Sequence, residues 1–431
     1  MAASSSSPLS SLRDKFGLPN MARHRNLASA ALIDSLGTGM LLAFVVVYFA
    51  ETTTLSLPAI GGAITIARLI AAPTAMVVGA MSDRFGARRV ALVGNLISAA
   101  GYVGFLAADS LWEVVTVTML TQVGAATYWT CSTGLVALAA EGTERTRWFA
   151  TLHTLRNVGL GAGGALGALL VGSGDGNLGL RLLVVANVIS YLVAAFLLAR
   201  WRPAERKTEE PASEAAGPTE ATSRYSTVLR DGRYMLLVTI NVVFVFAALV
   251  LSLLIGLYVI EALHEDPWIA GALLLLNSAQ VALTQTVVSR WMERFRATRV
   301  IAVSCLVNAA AFGLFAMLGM APSWLVLAGL VAATVLYTIA ETTATPLYEN
   351  LSVALAPDDT RGRYLAVYQL SWTFGQTTAP VLLTFLLARE SWLPWVFLAV
   401  LSVIAAPAVL LLERLINSRR SDQAAVAGVP A

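Results

Sequence analysis

Twelve apolar stretches, each long enough to cross a bilayer, dominate this chain and limit what it can fold into. They run over residues 27–50, 57–80, 90–108, 112–139, 148–172, 180–199, 234–260, 267–289, 299–320, 323–350, 362–388 and 392–412. A spanning helix needs roughly 20 mostly apolar residues. Hydrophobic residues make up 57% of the 431 and charged residues only 13%. A soluble protein of this length needs more polar surface, and a disordered chain is richer in charge. The expected class is an all-α polytopic membrane protein of twelve transmembrane helices.

The sixth and seventh stretches are separated by a different composition. Arg202–Arg233 is rich in Pro, Glu, Ser, Thr and Arg, including Glu205-Arg206-Lys207-Thr208-Glu209-Glu210-Pro211. It reads as a solvated linker. The organisation is therefore a tail at 1–26, a six-helix bundle at 27–200, a linker at 201–233, a second six-helix bundle at 234–412 and a tail at 413–431. The first residues, with Ser4–Ser7 and no apolar core, read as a tail and not as a cleavable signal peptide. Ala2 and the final Val429-Pro430-Ala431 give no lipidation signal.

Basic residues set the orientation. With the N-terminus inside, 25 of the 29 Lys and Arg residues fall in cytoplasmic tails and loops. Arg181 and Arg389 face out, and Arg68 and Arg156 lie within spans. The outer loops carry Glu51, Asp109, Glu113, Asp175, Glu265, Asp266 and Glu390. The reading is an inner-membrane, multi-pass protein with both termini and the linker cytoplasmic. Cys131 and Cys305 sit in apolar stretches, and His24, His153 and His264 have no metal-ligand spacing. No metal and no cofactor is expected.

The halves repeat each other. Val77–Val90 can be laid on Val287–Val300 at an offset of 210, sharing acid-Arg-Phe followed by Ala, Arg and Val. Arg145-Thr146-Arg147-Trp148-Phe149-Ala150 matches Arg361-Gly362-Arg363-Tyr364-Leu365-Ala366 at an offset of 216. An even number of spans preserves orientation, so the two bundles are related as parallel repeats, as in transporters that rock two halves about a midplane site.

Gly79-x-x-x-Asp83-Arg84-x-Gly86-x-Arg88-Arg89, between spans two and three, resembles the signature loop of the major facilitator superfamily. Glu293, Arg294 and Arg299 form its degenerate copy in the second half. The resemblance covers nearly the whole chain and implies the major facilitator fold and a monomer. It also implies a cytoplasmic gate, in which the Asp meets a helix N-terminus of the other half and the arginines pair with acids on neighbouring helices. A carboxylate at a helix N-terminus gains roughly 0.3–1 kcal/mol, enough to bias two conformations and weak enough to break in each cycle. The glycine-rich fifth span (Gly159, Gly161, Gly163, Gly164, Gly167) is similar to that of exporters in the superfamily, without their proline. Close helix packing alone also explains it. Gln122-Val123-Gly124 lacks the preceding arginine that many proton-coupled drug exporters carry.

A charge at the centre of a spanning helix costs about 2.5–3.5 kcal/mol on insertion scales. Four are retained: Asp34, Arg68, Arg156 and Glu341. Arg68 shares a face with Gly61, Thr65, Ala72, Ala75 and Gly79, which marks an inward-pointing side chain. Glu341 shares a polar stripe with Thr334, Tyr337, Thr338, Thr345 and Tyr348, expected to line a water-filled cavity. Asp34 is the natural partner of Arg68, and Arg156 can pair with either acid. The pairs are either static packing bridges or a coupling device in which one carboxylate trades its arginine for a proton. Asp34 is the first candidate for that role and Glu341 the second. Tyr128, Trp129, Asn157, Gln280, Tyr368, Trp372 and Gln376, with Arg68 and Arg156, are candidate cavity residues, although each alone is more often packing. Glu141 and Glu349 read as loop or gate residues.

The function these features support is secondary active transport of a small organic molecule, with proton-coupled efflux as the leading form. Uptake of a sugar, organic acid or amino acid is the alternative, and a non-transporting receptor or membrane enzyme is remote. No phosphate-binding Gly-x-x-x-x-Gly-Lys-Ser/Thr loop is present, so energy comes from gradients. The expected partners are a small-molecule substrate, a proton and membrane lipid. The basic residues are spread over loops as topology signals, so no nucleic acid is expected.

Overall fold

The computed structural model describes residues 18–19, 21–42, 44–173, 177–203 and 225–426. Most of the 1–26 tail and of the 201–233 linker, and the end of the 413–431 tail, lie outside the described residues. Within them the chain is almost wholly helical, as it must be where no water reaches the backbone.

The helices follow the expected spans. The first runs Met21–Leu42 and continues, after a 51° bend, as Val45–Thr52. The second is two pieces, Leu57–Ala71 and Thr74–Phe85. Pro73 sits at the break because it has no N–H to give and cannot continue the helix without strain. Ala87–Phe105, Leu111–Ala139, Gly142–Ser173 and Asn177–Arg200 complete the first bundle. A short helix, Tyr225–Arg230, leads into the seventh span. That span is Gly232–Ala248 followed by Val250–Leu253, Ile255–Leu257 and a π-helical turn at Tyr258–Ala262. Pro267–Met292, Ala297–Met317, Ser323–Ala354, Arg361–Arg389 and Leu393–Val426 are the eighth to twelfth. Eight of these helices are long and apolar enough to span a membrane on composition alone, and the bent first pair makes a ninth. The third, fourth and eleventh fall short because they carry arginines or many polar side chains.

Span one packs on five and six, and three on four and six. In the second half nine packs on ten and twelve, and seven on eleven and twelve. Large apolar side chains such as Leu69, Leu283 and Val381 stay more than half exposed, which suits a surface facing lipid tails.

The repeat extends to single hydrogen bonds. The Tyr48 hydroxyl donates to the Phe105 carbonyl at 2.9 Å, and the Tyr258 hydroxyl to the Phe315 carbonyl at 2.6 Å. Both residues of the second pair stand 210 positions after those of the first, the offset of the motif repeat. Each tyrosine ties the broken C-terminal end of a half's first span to the end of its third.

Gly159, Gly163 and Gly167 of span five are packing residues. A Cβ at Gly163 would clash with the Leu36 carbonyl and meet the Met40 nitrogen at 2.9 Å, and one at Gly159 would meet the Ser35 side chain at 2.8 Å. A Cβ at Gly161 would meet nothing within 4 Å. Replacing Gly163 with Val should destabilise the protein by about 1–3 kcal/mol through overpacking. Thermal unfolding of detergent-solubilised protein would register this, with Gly161→Ala as a control that keeps its melting temperature.

Candidate functional site

The halves are joined at the end where the arginine-rich loops lie. The Asp83 carboxylate accepts hydrogen bonds from the backbone N–H of Gly362 and, at 3.3 Å, of Arg363, and from the Arg363 guanidinium at 3.2 Å. Gly362 and Arg363 open the eleventh span, so the acid sits on the free N–H groups of a helix N-terminus. Close approach is possible because Gly79 and Gly362 face each other; a Cβ on Gly79 would meet the Gly362 carbonyl at 2.8 Å. The second copy of the motif makes the matching contact. Glu293 takes a two-pronged hydrogen bond from Arg147 at 2.5 and 2.8 Å. Asp83 and Glu293 are repeat mates, and so are Arg147 and Arg363. The two repeats seen in the sequence are thus each other's partners across the interface. Arg145 adds a bond to Asn350 at 2.7 Å, and His153 and Gln285 meet at 3.0 Å.

The remaining motif residues hold this end together within each half. Arg88 donates to the carbonyl of Trp201, beyond the end of span six, where an acid was expected. Helix ends leave carbonyls without intrahelical donors, and one of these is the acceptor at hand. Trp201 in turn donates its indole N–H to His24 at 2.9 Å. Gly86 has φ of 83°, the left-handed conformation that glycine adopts without strain. Arg84 lies over the Phe85 ring, and Arg89 and Arg294 are exposed. Arg296 and Arg299 pair with Glu413 of span twelve at 2.8 and 3.5 Å.

Above this clamp a cavity of about 600 Å³ opens between the halves. Of the expected cavity residues, Arg68, Trp129, Arg156, Asn157, Tyr368, Trp372 and Gln376 line it, as does Glu341. Two others do not. Tyr128 is 4% exposed and packs in the core of the first bundle, because it points away from the face that carries Trp129. Gln280 turns aside to donate to the Val335 carbonyl at 3.3 Å.

The charge pairs also differ from expectation. Among the described residues Arg68 makes no ion pair, and it lines the cavity as an exposed side chain. It is in the last turn of the outer piece of span two, beside the Pro73 break. Asp34 is 4% exposed and lies off the cavity, with Oδ1 lacking a hydrogen-bond partner among the described residues. Tyr102 of span three, Tyr128 of span four and Tyr191 of span six stand near it, and Thr38, one turn further on, meets Tyr191 at 3.3 Å. Arg156 is the cation near enough to act on Asp34 electrostatically. Arg156 itself stacks on Trp129, 4.5 Å from the ring centroid, and reaches Glu349 of span ten at 3.9 Å. Glu349, read from sequence as a loop or gate residue, is therefore part of the cavity floor. It stands eight residues after Glu341, about two helical turns, a spacing that could have placed it on the same stripe. Glu341 accepts a hydrogen bond from Asn277 at 2.8 Å, which sequence reasoning missed.

The sequence profile described as Major Facilitator Superfamily matches residues 27–328 and 250–430. A "Na(+), Li(+), K(+)/H(+) antiporter" of Planococcus maritimus is 25% identical over 366 residues, covering 79% of this chain and 84% of the relative. "Multidrug resistance protein MdtH" of Cronobacter sakazakii is 25% identical over 357 residues, covering 81% and 78%. In structure, the human organic anion transporter MFSD10 (TETRAN) superposes with a TM-score of 0.68 at 16% identity, covering 91% of this chain and all of that one.

Removing the charge of Asp83 takes a charged acceptor from three donors, each such bond being worth about 1.5–3 kcal/mol where fully formed. The amide oxygen of Asn still accepts from the helix N-terminus, so the net loss is about that of one such bond, and Asp83→Asn should raise the population open at the arginine-rich end by on the order of tenfold. Cysteine labelling at position 132, on the cavity side of the clamp, from that face would report it. An unchanged labelling rate would show that Asp83 does not hold the halves together.

Proposed function

The chain belongs to the Major Facilitator Superfamily and is a multi-pass secondary active transporter, and we propose that it exports a small organic molecule in exchange for protons. In this reading the arginine-rich end is cytoplasmic, since Arg84, Arg88, Arg89, Arg145, Arg147, Arg294, Arg296, Arg299, Arg361 and Arg363 gather there. The structure is then the outward-open state, with the clamp closed below and the cavity open above. The antiporter and multidrug resistance names of the two relatives support exchange and export.

One observation carries the coupling step: Arg156 stands between two acids on opposite halves. Here it leans on Glu349 across the interface, and Asp34 behind it has no bonded partner at Oδ1. When the halves part at the cytoplasmic end, the Arg156–Glu349 contact must lengthen, because its members belong to different bundles. Arg156 is then left to Asp34. A proton taken up by Asp34 from the outer side is expelled as the guanidinium arrives, and it leaves inward. One proton moving down 100 mV yields about 2.3 kcal/mol, which drives the substrate outward. Asp34 acts from inside the first bundle and is the coupling acid. Glu341, in the cavity wall, is assigned to the substrate.

The test uses proteoliposomes of the full chain with an imposed pH gradient and a panel of toxic compounds. Asp34→Asn should abolish gradient-driven export while leaving substrate exchange between equal pH compartments. Glu349→Gln should slow export on the order of tenfold, equivalent to ~1.4 kcal/mol. Export by Asp34→Asn that still follows the gradient would refute the assignment.

A further inference from the structure

The cavity holds two charges that the protein leaves unanswered, of opposite sign and on opposite halves. Arg68 makes no ion pair among the described residues and presents its guanidinium to the cavity from span two. Glu341 lines the same cavity from span ten, where Asn277 donates to it and, among the described residues, no cation pairs with it. The other cavity charges, Arg156 and Glu349, answer each other. The wall that carries Arg68, Arg156 and His153 is basic or neutral, and the wall that carries Glu341 and Glu349 is acidic.

A single molecule that satisfied both free charges would carry an anionic group and a cationic group. We infer that the substrate is a zwitterion, its carboxylate or other anionic group on Arg68 and its ammonium or other cationic group on Glu341. This deepens the exporter reading and rests on it for the direction of transport only. The guanidinium fork suits a carboxylate or phosphate, and Glu341 has one carboxylate oxygen bonded to Asn277 and the other unassigned. A monovalent cation leaves Arg68 unpaired and an anion leaves Glu341 unpaired. Each charge that a bound ligand covers without pairing loses water and lowers affinity. The space of about 600 Å³ is of the size that takes drug-like molecules, and Trp129, Tyr368 and Trp372 along it offer ring faces to the body of the ligand.

The experiment is equilibrium binding by fluorescence anisotropy to the full chain in lipid nanodiscs, with no gradient present and empty nanodiscs as the blank. The probes are two matched pairs: rhodamine B with its ethyl ester, and ε-dansyl-lysine with its methyl ester. Each free acid is a zwitterion and each ester a cation of nearly the same size. The acid of at least one pair should bind about tenfold more tightly than its ester, the lower end of what a charged hydrogen bond contributes. Arg68→Gln should bring that ratio to about one, and Arg68→Lys should restore part of it. Glu341→Gln should weaken the zwitterion on the order of tenfold. Monodisperse elution of each variant verifies that it is folded. Esters that bind as tightly as the acids in both pairs, a preference that survives Arg68→Gln, or no binding of any probe would overturn the proposal. Because no proton gradient is used, failure here leaves the coupling test above untouched, and failure of proton-driven export leaves this binding preference standing.

Discussion

Four side chains hold this molecule in the state described: Asp83 with Arg363, and Glu293 with Arg147. Each bond crosses from one bundle to the other, and each joins the end of one helix to the start of another. Their strength is set by partial burial. The Arg147–Glu293 pair is 22% and 17% exposed, so water screens it and the net gain is a fraction of a buried pair's. A transporter needs this intermediate strength, since a clamp of full buried strength would not release.

The cavity is a consequence of the two bundles being rigid in their own right. Glycine faces bring span five against span one at backbone contact, and the twin Tyr48 and Tyr258 bonds lock the outer ends of each half. With so little give inside each bundle, relative motion is concentrated between them. The charges that matter are distributed accordingly. Arg156 and Glu349 meet across the boundary between the bundles, whereas Asp34 lies behind it, buried within the first bundle.

Much of this was legible as pattern. Twelve spans and the parallel repeat follow from hydropathy and offset, because lipid makes helix length and backbone satisfaction obligatory. The Gly79–Arg89 motif gave the position of the clamp, and its two repeats together contained all four of its charged members. The stripe through Glu341 gave one wall of the cavity. The readings that failed concern direction and partner. Asp34 and Arg68 were matched because their spans are consecutive, but a helix presents neighbours to opposite sides within two residues, and Asp34 turns into the first bundle, near Tyr102, Tyr128 and Tyr191. Tyr128 and Trp129 are adjacent and were grouped, yet only Trp129 reaches the cavity. Glu349 was set aside for its place near a helix end, although that end is the cavity floor.

The sequence by itself determined the class of molecule, the number of spans, the side that carries the basic loops and the positions at which a charge is retained in an apolar segment. These are properties of single helices in lipid, decided by composition along the chain. Only the tertiary structure decided which charges meet. Pairing depends on helix rotation and on which bundle faces which, and residues 147 and 293 become neighbours only after twelve helices have packed. The same holds for Arg68 and Glu341, which meet no opposite charge among the described residues. A charge is seen to lack a partner only when every neighbour from every helix is in place.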